Sequence, residues 1–150
     1  MTIAIPPTNA PDSVFEEFWL QCPLRIARGT TRDVFEIPGH PDKVLKVLTR
    51  QSNFANWAEI VTYITTTDKS FFAEVYSWSW SGRFLVMERL GPITLQDLAG
   101  QKTPQFVNDK KPSNFGKDKA GRIKALDYAA LDLSPHPLHH FPASFDEAVE

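Results

Sequence analysis

Five side chains stand where their types could do chemistry. Lys46 lies inside the apolar run Val44-Leu45-Lys46-Val47-Leu48, where a solvated lysine is not expected. Glu59 lies beside the apolar stripe of the helical pattern that follows. Asp109 and Asn114 bracket one loop, Asp-Lys-Lys-Pro-Ser-Asn, and Asp127 comes directly after a strand-like run. Oxygen-bearing side chains suit a hard cation, and a lysine held on a strand suits an anion, because little freedom is lost on binding. Each residue also has an ordinary explanation. Lys46 can snorkel from an edge strand with its charge in water. Glu59 can sit on a solvated helix face, and Asp109, Asn114 and Asp127 can make turns or caps. What distinguishes the set is its placement, which depends on the elements that carry it.

Residues 1–10 hold Pro6 and Pro7 with no periodic pattern and are expected to form a loose arm. A short helix follows, capped by Asp12 or Ser13, with Val14, Phe15, Phe18 and Trp19 on its apolar side and Pro23 ending it. Leu24–Arg28, Asp33–Ile37 and Lys43–Leu48 then read as three strands joined by the tight turns at Gly29-Thr30-Thr31 and Pro38–Asp42, an antiparallel meander. In Ser52–Thr66, Phe54, Trp57, Ala58, Val61 and Ile64 fall at helical spacing, with Ser52 placed to cap. Phe71–Trp80, rich in evenly spaced aromatics, and Arg83–Met87 read as two further strands around Ser81-Gly82. Beyond Leu90, Thr94-Leu95-Gln96-Asp97 has the form of a capping box on a helix of a turn or two. Phe115-Gly116 is a short extended piece, Asp118–Gly121 a turn, and Arg122–Leu126 a last strand; the prolines from Leu133 onward predict an irregular tail.

In this order of elements the sequence resembles the protein kinase-like superfamily. Gly29-Thr30-Thr31-Arg32-Asp33-Val34-Phe35 is similar to a reduced glycine-rich loop, Val44-Leu45-Lys46 to the strand-three lysine motif, and Glu59 falls where the helix-C glutamate belongs. Phe84–Leu90 looks like strand five running into the hinge. Asp109-Lys110-Lys111-Pro112-Ser113-Asn114 matches the catalytic-loop pattern D-x-K-P-x-N of serine/threonine kinases, and Asp127-Tyr128-Ala129 stands where D-F-G would be. More narrowly, Asp-x-Lys-x-x-Asn-Phe-Gly followed by Gly-Arg and Asp-Tyr is similar to the very small kinase-like proteins encoded by bacteriophages. The resemblance covers about residues 24–130.

Phosphoryl transfer needs positioning and charge stabilisation more than covalent help. The resemblance implies that Lys46 holds the α- and β-phosphates of ATP while Glu59 fixes its ammonium. It implies that Asn114 and Asp127 bind Mg²⁺, that Asp109 accepts the proton of a substrate hydroxyl, and that Lys111 faces the transferred group. It implies further that Gly29 lets backbone amides approach the phosphates, that the turn there forms a lid, and that the main chain around Glu88–Leu90 binds the adenine.

The departures from the pattern carry expectations of their own. Val107-Asn108-Asp109 replaces His-Arg-Asp, so no arginine is placed to read a phosphorylated activation segment. Only one glycine stands in the phosphate loop. Between Leu90 and Asp109, Gly91, Pro92, Gly100 and Pro104 leave no room for the long helix that supports the catalytic loop, and after Ala129 the sequence runs on for only 21 residues. The expected fold is therefore α+β: a kinase-like small lobe, with a five-stranded antiparallel sheet and one helix C, plus a truncated catalytic-loop strip with the large helical lobe mostly absent. The expected division is an arm and short helix over 1–22, the minimal domain over 23–132 and an irregular tail over 133–150.

Composition bounds the partners. Sixteen Lys and Arg against 18 Asp and Glu give a formal charge of −2, which supplies no drive toward nucleic acid or an anionic lipid surface. The aromatic run Phe71–Trp80 lacks interleaved basic residues, so core packing explains it better than base stacking. Lys117, Lys119, Arg122 and Lys124 form one basic patch, read as a solvated turn. His136, His139 and His140 sit in a proline-rich tail without a cysteine or carboxylate partner on a rigid element, which argues against a metal cluster. The single Cys22 excludes an internal disulfide and fits a reducing compartment. No apolar run is long enough to span a membrane, and the N-terminal residues lack the pattern of a signal peptide. The expectation is a cytoplasmic protein, in an infected cell if phage-encoded, that binds ATP and Mg²⁺ and phosphorylates serine or threonine of a host protein. Two rivals are a catalytically inactive kinase-like scaffold that binds and inhibits a host factor, and a kinase of small molecules.

Overall fold

A computed structural model describes residues 2–50, 53–98, 102–104, 115–126 and 138–140. They belong to two compact units, Met1–Thr66 with Glu74–Arg89, and Thr67–Ala73 with Leu90–Glu150. The first is α+β. Helix α1 (Asp12–Leu20) precedes strands β1 (Arg25–Arg28), β2 (Arg32–Ile37) and β3 (His40–Leu48), then helix α2 (Ala55–Thr65), β4 (Val75–Trp78) and β5 (Phe84–Glu88). The five strands pair antiparallel in the order β1-β2-β3-β5-β4. The expected five-stranded antiparallel sheet, with one helix between its third and fourth strands, is the architecture that forms.

Successive side chains of a strand point to opposite faces of the sheet, and this assigns the core. Leu45 and Val47 of β3, Phe84 and Val86 of β5, and Ile37 of β2 join Phe15, Phe18, Cys22 and Ile3 in one buried cluster. Phe15 stacks on Phe84 with centroids 5.9 Å apart, and Trp19 meets Phe35 edge-on at 5.8 Å. The alternate set, Val44, Lys46 and Leu48 with Leu85 and Met87, takes the α2 side, and all five are buried. Both faces of β3 and β5 are covered, which is why these strands read as nearly continuous apolar runs.

Residues 2–10 are not a loose arm. Asn9 N–H donates to Trp78 O at 2.8 Å, Trp80 N–H to Ala10 O at 2.9 Å, and Ser77 Oγ to Pro6 O at 2.6 Å. The segment covers the β4 edge, and Ile3 is buried in the core, so an aperiodic pattern here reflects a strap whose backbone satisfies a sheet edge. Asp12 does not cap α1; Pro11 holds that position, and the Asp12 carboxylate accepts hydrogen bonds from Ser81 N–H at 3.1 Å and from Ser81 Oγ. Helix α2 begins at Ala55, whose N–H donates to Asn53 Oδ1 at 3.1 Å; Ser52 lies outside the described residues.

Phe71–Trp80 is not one strand. Lys69–Phe71 forms a 3₁₀ turn in which Asp68 accepts from Ser70 N–H at 3.1 Å, and β4 begins only at Val75. A register shift between Val75 and Ser77 moves Ser77 to the buried side, while Trp80 is 72% exposed. The aromatic spacing therefore does not mark a core row.

In the second unit, Thr94 and Asp97 form the expected capping box. Thr94 N–H donates to Asp97 Oδ2 at 2.8 Å and Asp97 N–H to Thr94 Oγ1 at 3.3 Å, ahead of the four-residue helix α3 (Leu95–Leu98). Strand β6 (Lys102–Pro104) pairs with β9 (Leu138–His140), so part of the tail read as irregular is paired. Strands β7 (Phe115–Lys117) and β8 (Ile123–Ala125) form a hairpin with Phe115 opposite Ala125. Asp118 closes its turn by accepting from Ala120 N–H and Arg122 N–H, each at 2.9 Å.

Candidate functional site

Strand β3 places Lys46 between Val34 of β2 and Leu85 of β5, on the face that α2 covers. Its side chain is held in that apolar layer, and a buried ammonium requires a counter-charge. Glu59 supplies it. Lys46 Nζ donates to Glu59 Oε1 at 3.0 Å, and Glu59 is completely buried. The two residues singled out by their placement in the sequence are thus joined, and the snorkelling and solvated-face explanations do not hold.

A third residue completes the cluster and was not expected there. Arg32, read as part of the glycine loop, is the first residue of β2 and lies opposite Leu48. Two positions along from Val34, it shares the face of Lys46. Its guanidinium takes both oxygens of Glu59, NH1 to Oε1 at 2.5 Å and NH2 to Oε2 at 2.8 Å. This is the fork geometry in which arginine binds a carboxylate best. No signal in the sequence separated Arg32 from the preceding loop; the register with β3 turns it inward.

Asn56 fixes the helix that carries Glu59. Fully buried one turn before it, Asn56 donates through Nδ2 to Gly82 O at 2.9 Å, Arg83 O at 3.0 Å and Lys46 O at 3.3 Å. Trp57 Nε1 adds a bond to Ser81 O at 2.7 Å. Helix α2 is therefore bound to β3 and to the β4–β5 turn around the ion cluster. Burial alone would push the Glu59 carboxyl up, but the Lys46 ammonium and the Arg32 guanidinium outweigh it and hold the group well below the usual carboxylate range.

The Gly29–Thr31 turn is hydrogen-bonded to the segment that follows β3. Thr31 O accepts from Thr49 N–H and from Asn53 Nδ2, both at 2.9 Å, and Thr30 O accepts from Thr49 Oγ1 at 2.9 Å. Gly29 N–H is committed to Arg32 O at 2.8 Å, and a Cβ on Gly29 would lie 2.9 Å from that same oxygen. The turn itself requires the glycine. At the end of β5, Glu88 N–H donates to Glu74 O at 2.8 Å and Arg89 N–H to Asp42 O at 2.7 Å, so these two amides also serve the fold.

Asp109, Lys111, Asn114 and Asp127 lie outside the described residues, as does His136. The basic patch is tied into local pairs: Lys117 with Asp97 at 3.0 Å, and Arg122 with Asp118 at 2.9 Å. Among the described residues no group of three or more His, Cys, Asp or Glu is placed to hold a metal ion, and no helix is long and apolar enough to cross a membrane.

No protein-family model and no curated protein sequence matches this chain. Among solved structures, it is similar to crystal structures of WbdD, described as a bifunctional kinase-methyltransferase. In one of them it shares 17% identity with a TM-score of 0.44, over 71% of this chain and 31% of that one. A co-crystal structure of WbdD with the kinase inhibitor LY294002 gives 16% identity and a TM-score of 0.43, over 70% and 32%. The chain thus spans about a third of the length of the WbdD structures it matches.

Proposed function

We propose that this chain is a minimal kinase-like protein that binds ATP and Mg²⁺ and transfers phosphate to serine or threonine of a host protein. The observation that carries the reading is the buried Lys46–Glu59 pair, formed between the third strand of a five-stranded antiparallel sheet and the helix that follows it. A lysine with its stem held on a strand and its ammonium set by a carboxylate is oriented before any ligand arrives, which lowers the entropic cost of holding a phosphate. Lys46 presents a cation to the anionic end of a nucleotide, while Asn114 and Asp127 are oxygen ligands of the kind Mg²⁺ prefers. MgATP, when bound, supplies the phosphoryl group to be transferred.

In this reading Lys46 orients the α- and β-phosphates, Glu59 holds Lys46, and the main chain of Glu88–Leu90 receives the purine. Asn114 and Asp127 hold the metal, Asp109 takes the proton from the substrate hydroxyl, and Lys111 stabilises charge on the transferred group. A cytoplasmic, phage-encoded setting belongs to the same proposal and rests on the sequence resemblance alone.

A second reading, an inactive kinase-like scaffold that binds and inhibits a host factor, is favoured by one observation. The Gly29 amide, which a phosphate loop would direct at its ligand, is used inside the turn. A transfer assay separates the two. With ATP radiolabelled at the γ-phosphate and a bacterial lysate as substrate, the wild-type protein should label serine or threonine, and Asp109→Ala should abolish the labelling. Transfer that survives Asp109→Ala contradicts the assignment of the base, and its absence in the wild type favours the scaffold.

A further inference from the structure

We propose that the outer edge of β1 is a docking site for a partner protein, which adds an extended segment with acidic side chains to the sheet as a further strand. The inference is independent of nucleotide binding.

The sheet treats its two edges differently. The strand order places β4 at one end and β1 at the other. A sheet edge carries a row of unpaired N–H and C=O groups, a template for pairing with another chain. At β4 the N-terminal strap answers that row, with Asn9 N–H donating to Trp78 O and Trp80 N–H to Ala10 O. At β1 the inner side pairs with β2, and among the described residues no strand or bridge pairs with the outer side. All four residues of Arg25–Arg28 are exposed, whereas the neighbouring β2 buries both its ends, Arg32 and Ile37.

The edge also offers apolar contact. Leu24 prolongs the pairing of β1, its carbonyl accepting from Glu36 N–H at 2.9 Å, and it is 54% exposed. Ile26 is 39% exposed, and Leu20, at the end of α1, is exposed as well. A single exposed apolar side chain is ordinary, but three in so short a stretch beside an open edge give an incoming strand a surface to cover.

Charge selects the occupant. Arg28 has no ionic partner among the described residues, and Arg25 meets Asp33 at 3.6 Å while its side chain stays 40% exposed. Two copies joined edge to edge about a two-fold axis, in the register that pairs all four residues, would set Arg25 of each against Arg28 of the other. Like charges directly opposite destabilise a pair of strands. The arginines thus turn away a second copy and any basic segment, while their guanidiniums make charge-assisted hydrogen bonds with carboxylates. The bulge between Arg25 and Ala27 keeps the contact short. In this mode of recognition the main chain supplies affinity and the side chains supply the choice of partner.

The test titrates the full chain into a fluorescein-labelled peptide, Glu-Val-Glu-Val-Glu-Val, followed by fluorescence anisotropy. Binding should saturate below millimolar protein, and the peptide with lysine in place of glutamate should bind at least about tenfold more weakly. Arg25→Gln combined with Arg28→Gln should weaken the glutamate peptide at least about tenfold and abolish the preference over lysine. Both residues are exposed, so the melting temperature should stay close to that of the wild type. Main-chain pairing has its own readout, because a strand in an antiparallel pair presents alternate residues to each side. Of two glutamate peptides N-methylated at alternate residues, one should lose at least about tenfold in affinity and the other should keep it.

Absence of saturable binding by the glutamate peptide at millimolar protein overturns the proposal. Equal affinity for the glutamate and lysine peptides overturns the role of the arginines. Equal effects of the two N-methylation patterns would mean attraction by charge alone and overturn strand addition. A wild-type dimer in sedimentation velocity that the glutamate peptide dissociates would place a second copy on this edge and overturn the choice of occupant.

Discussion

The Lys46 ammonium and the Arg32 guanidinium share one acceptor, Oε1 of Glu59, at 3.0 and 2.5 Å. Two cations on one buried carboxylate make the ionisation of Glu59 part of the stability of the fold. Its carboxyl is held below the ordinary glutamate range, down to about 2, so the folded chain binds a proton less readily than the unfolded one. The stabilisation is present above the unfolded value near 4.5 and is lost as pH falls from there toward 2. It should amount to something on the order of 3 kcal/mol. Urea unfolding followed by tryptophan fluorescence between pH 6 and 2 should show this fall in the wild type and a flatter profile in Glu59→Gln. Identical profiles would contradict the ion cluster.

Asn56 links α2 to three carbonyls, those of Lys46, Gly82 and Arg83. Asn56→Ala leaves these acceptors without their donor in a buried place and should cost roughly 2–3 kcal/mol by urea unfolding at neutral pH. A loss within 0.5 kcal/mol of zero, the range of ordinary surface substitutions, would show that the helix is held by other means.

Gly82 has φ of +78°, and a Cβ there would lie 2.3 Å from Trp57 Nε1. Gly82→Ala should therefore destabilise by at least about 1 kcal/mol from the left-handed backbone, and further by displacing the Trp57 ring from Ser81 O. The change should register in the near-ultraviolet circular dichroism of the tryptophans. A variant with wild-type stability and spectrum would mean that the turn is not packed under Trp57.

Phe15 is completely buried and stacks on Phe84. Phe15→Ala should cost about 3–5 kcal/mol, because it opens a cavity between α1 and the sheet. If urea unfolding shows a much smaller loss, α1 is not part of the core of this unit.

The sequence was informative where a residue contradicted its surroundings. Lys46 is conspicuous among Val44, Leu45, Val47 and Leu48, and Glu59 lies beside a helical stripe, but their pairing was implied by the kinase-like resemblance rather than by that placement. Arg32 could not be separated from a loop, because Gly29-Thr30-Thr31 carries the turn signal and an arginine at a strand start gives no sign of burial. Only the register with β3 turns it inward. The aromatic run was misleading for a related reason. Side-chain spacing implies a face only in an unbroken strand, and the 3₁₀ turn at Lys69–Phe71 with the shift before Ser77 breaks it. Residues 2–10 lack periodicity because the segment bonds through its backbone, which side-chain pattern does not reveal. Asp109, Lys111, Asn114 and Asp127 were read from their motif, and they lie outside the described residues.

Nucleotide binding at the Lys46–Glu59 pair is the central claim, and titration calorimetry of the wild-type chain with MgATP tests it most directly. The wild-type chain should show saturable binding to one site, lost in Lys46→Met and in Asp127→Ala while both variants remain folded. No binding heat and no rise in melting temperature at millimolar MgATP, or binding unchanged in both variants, would contradict it.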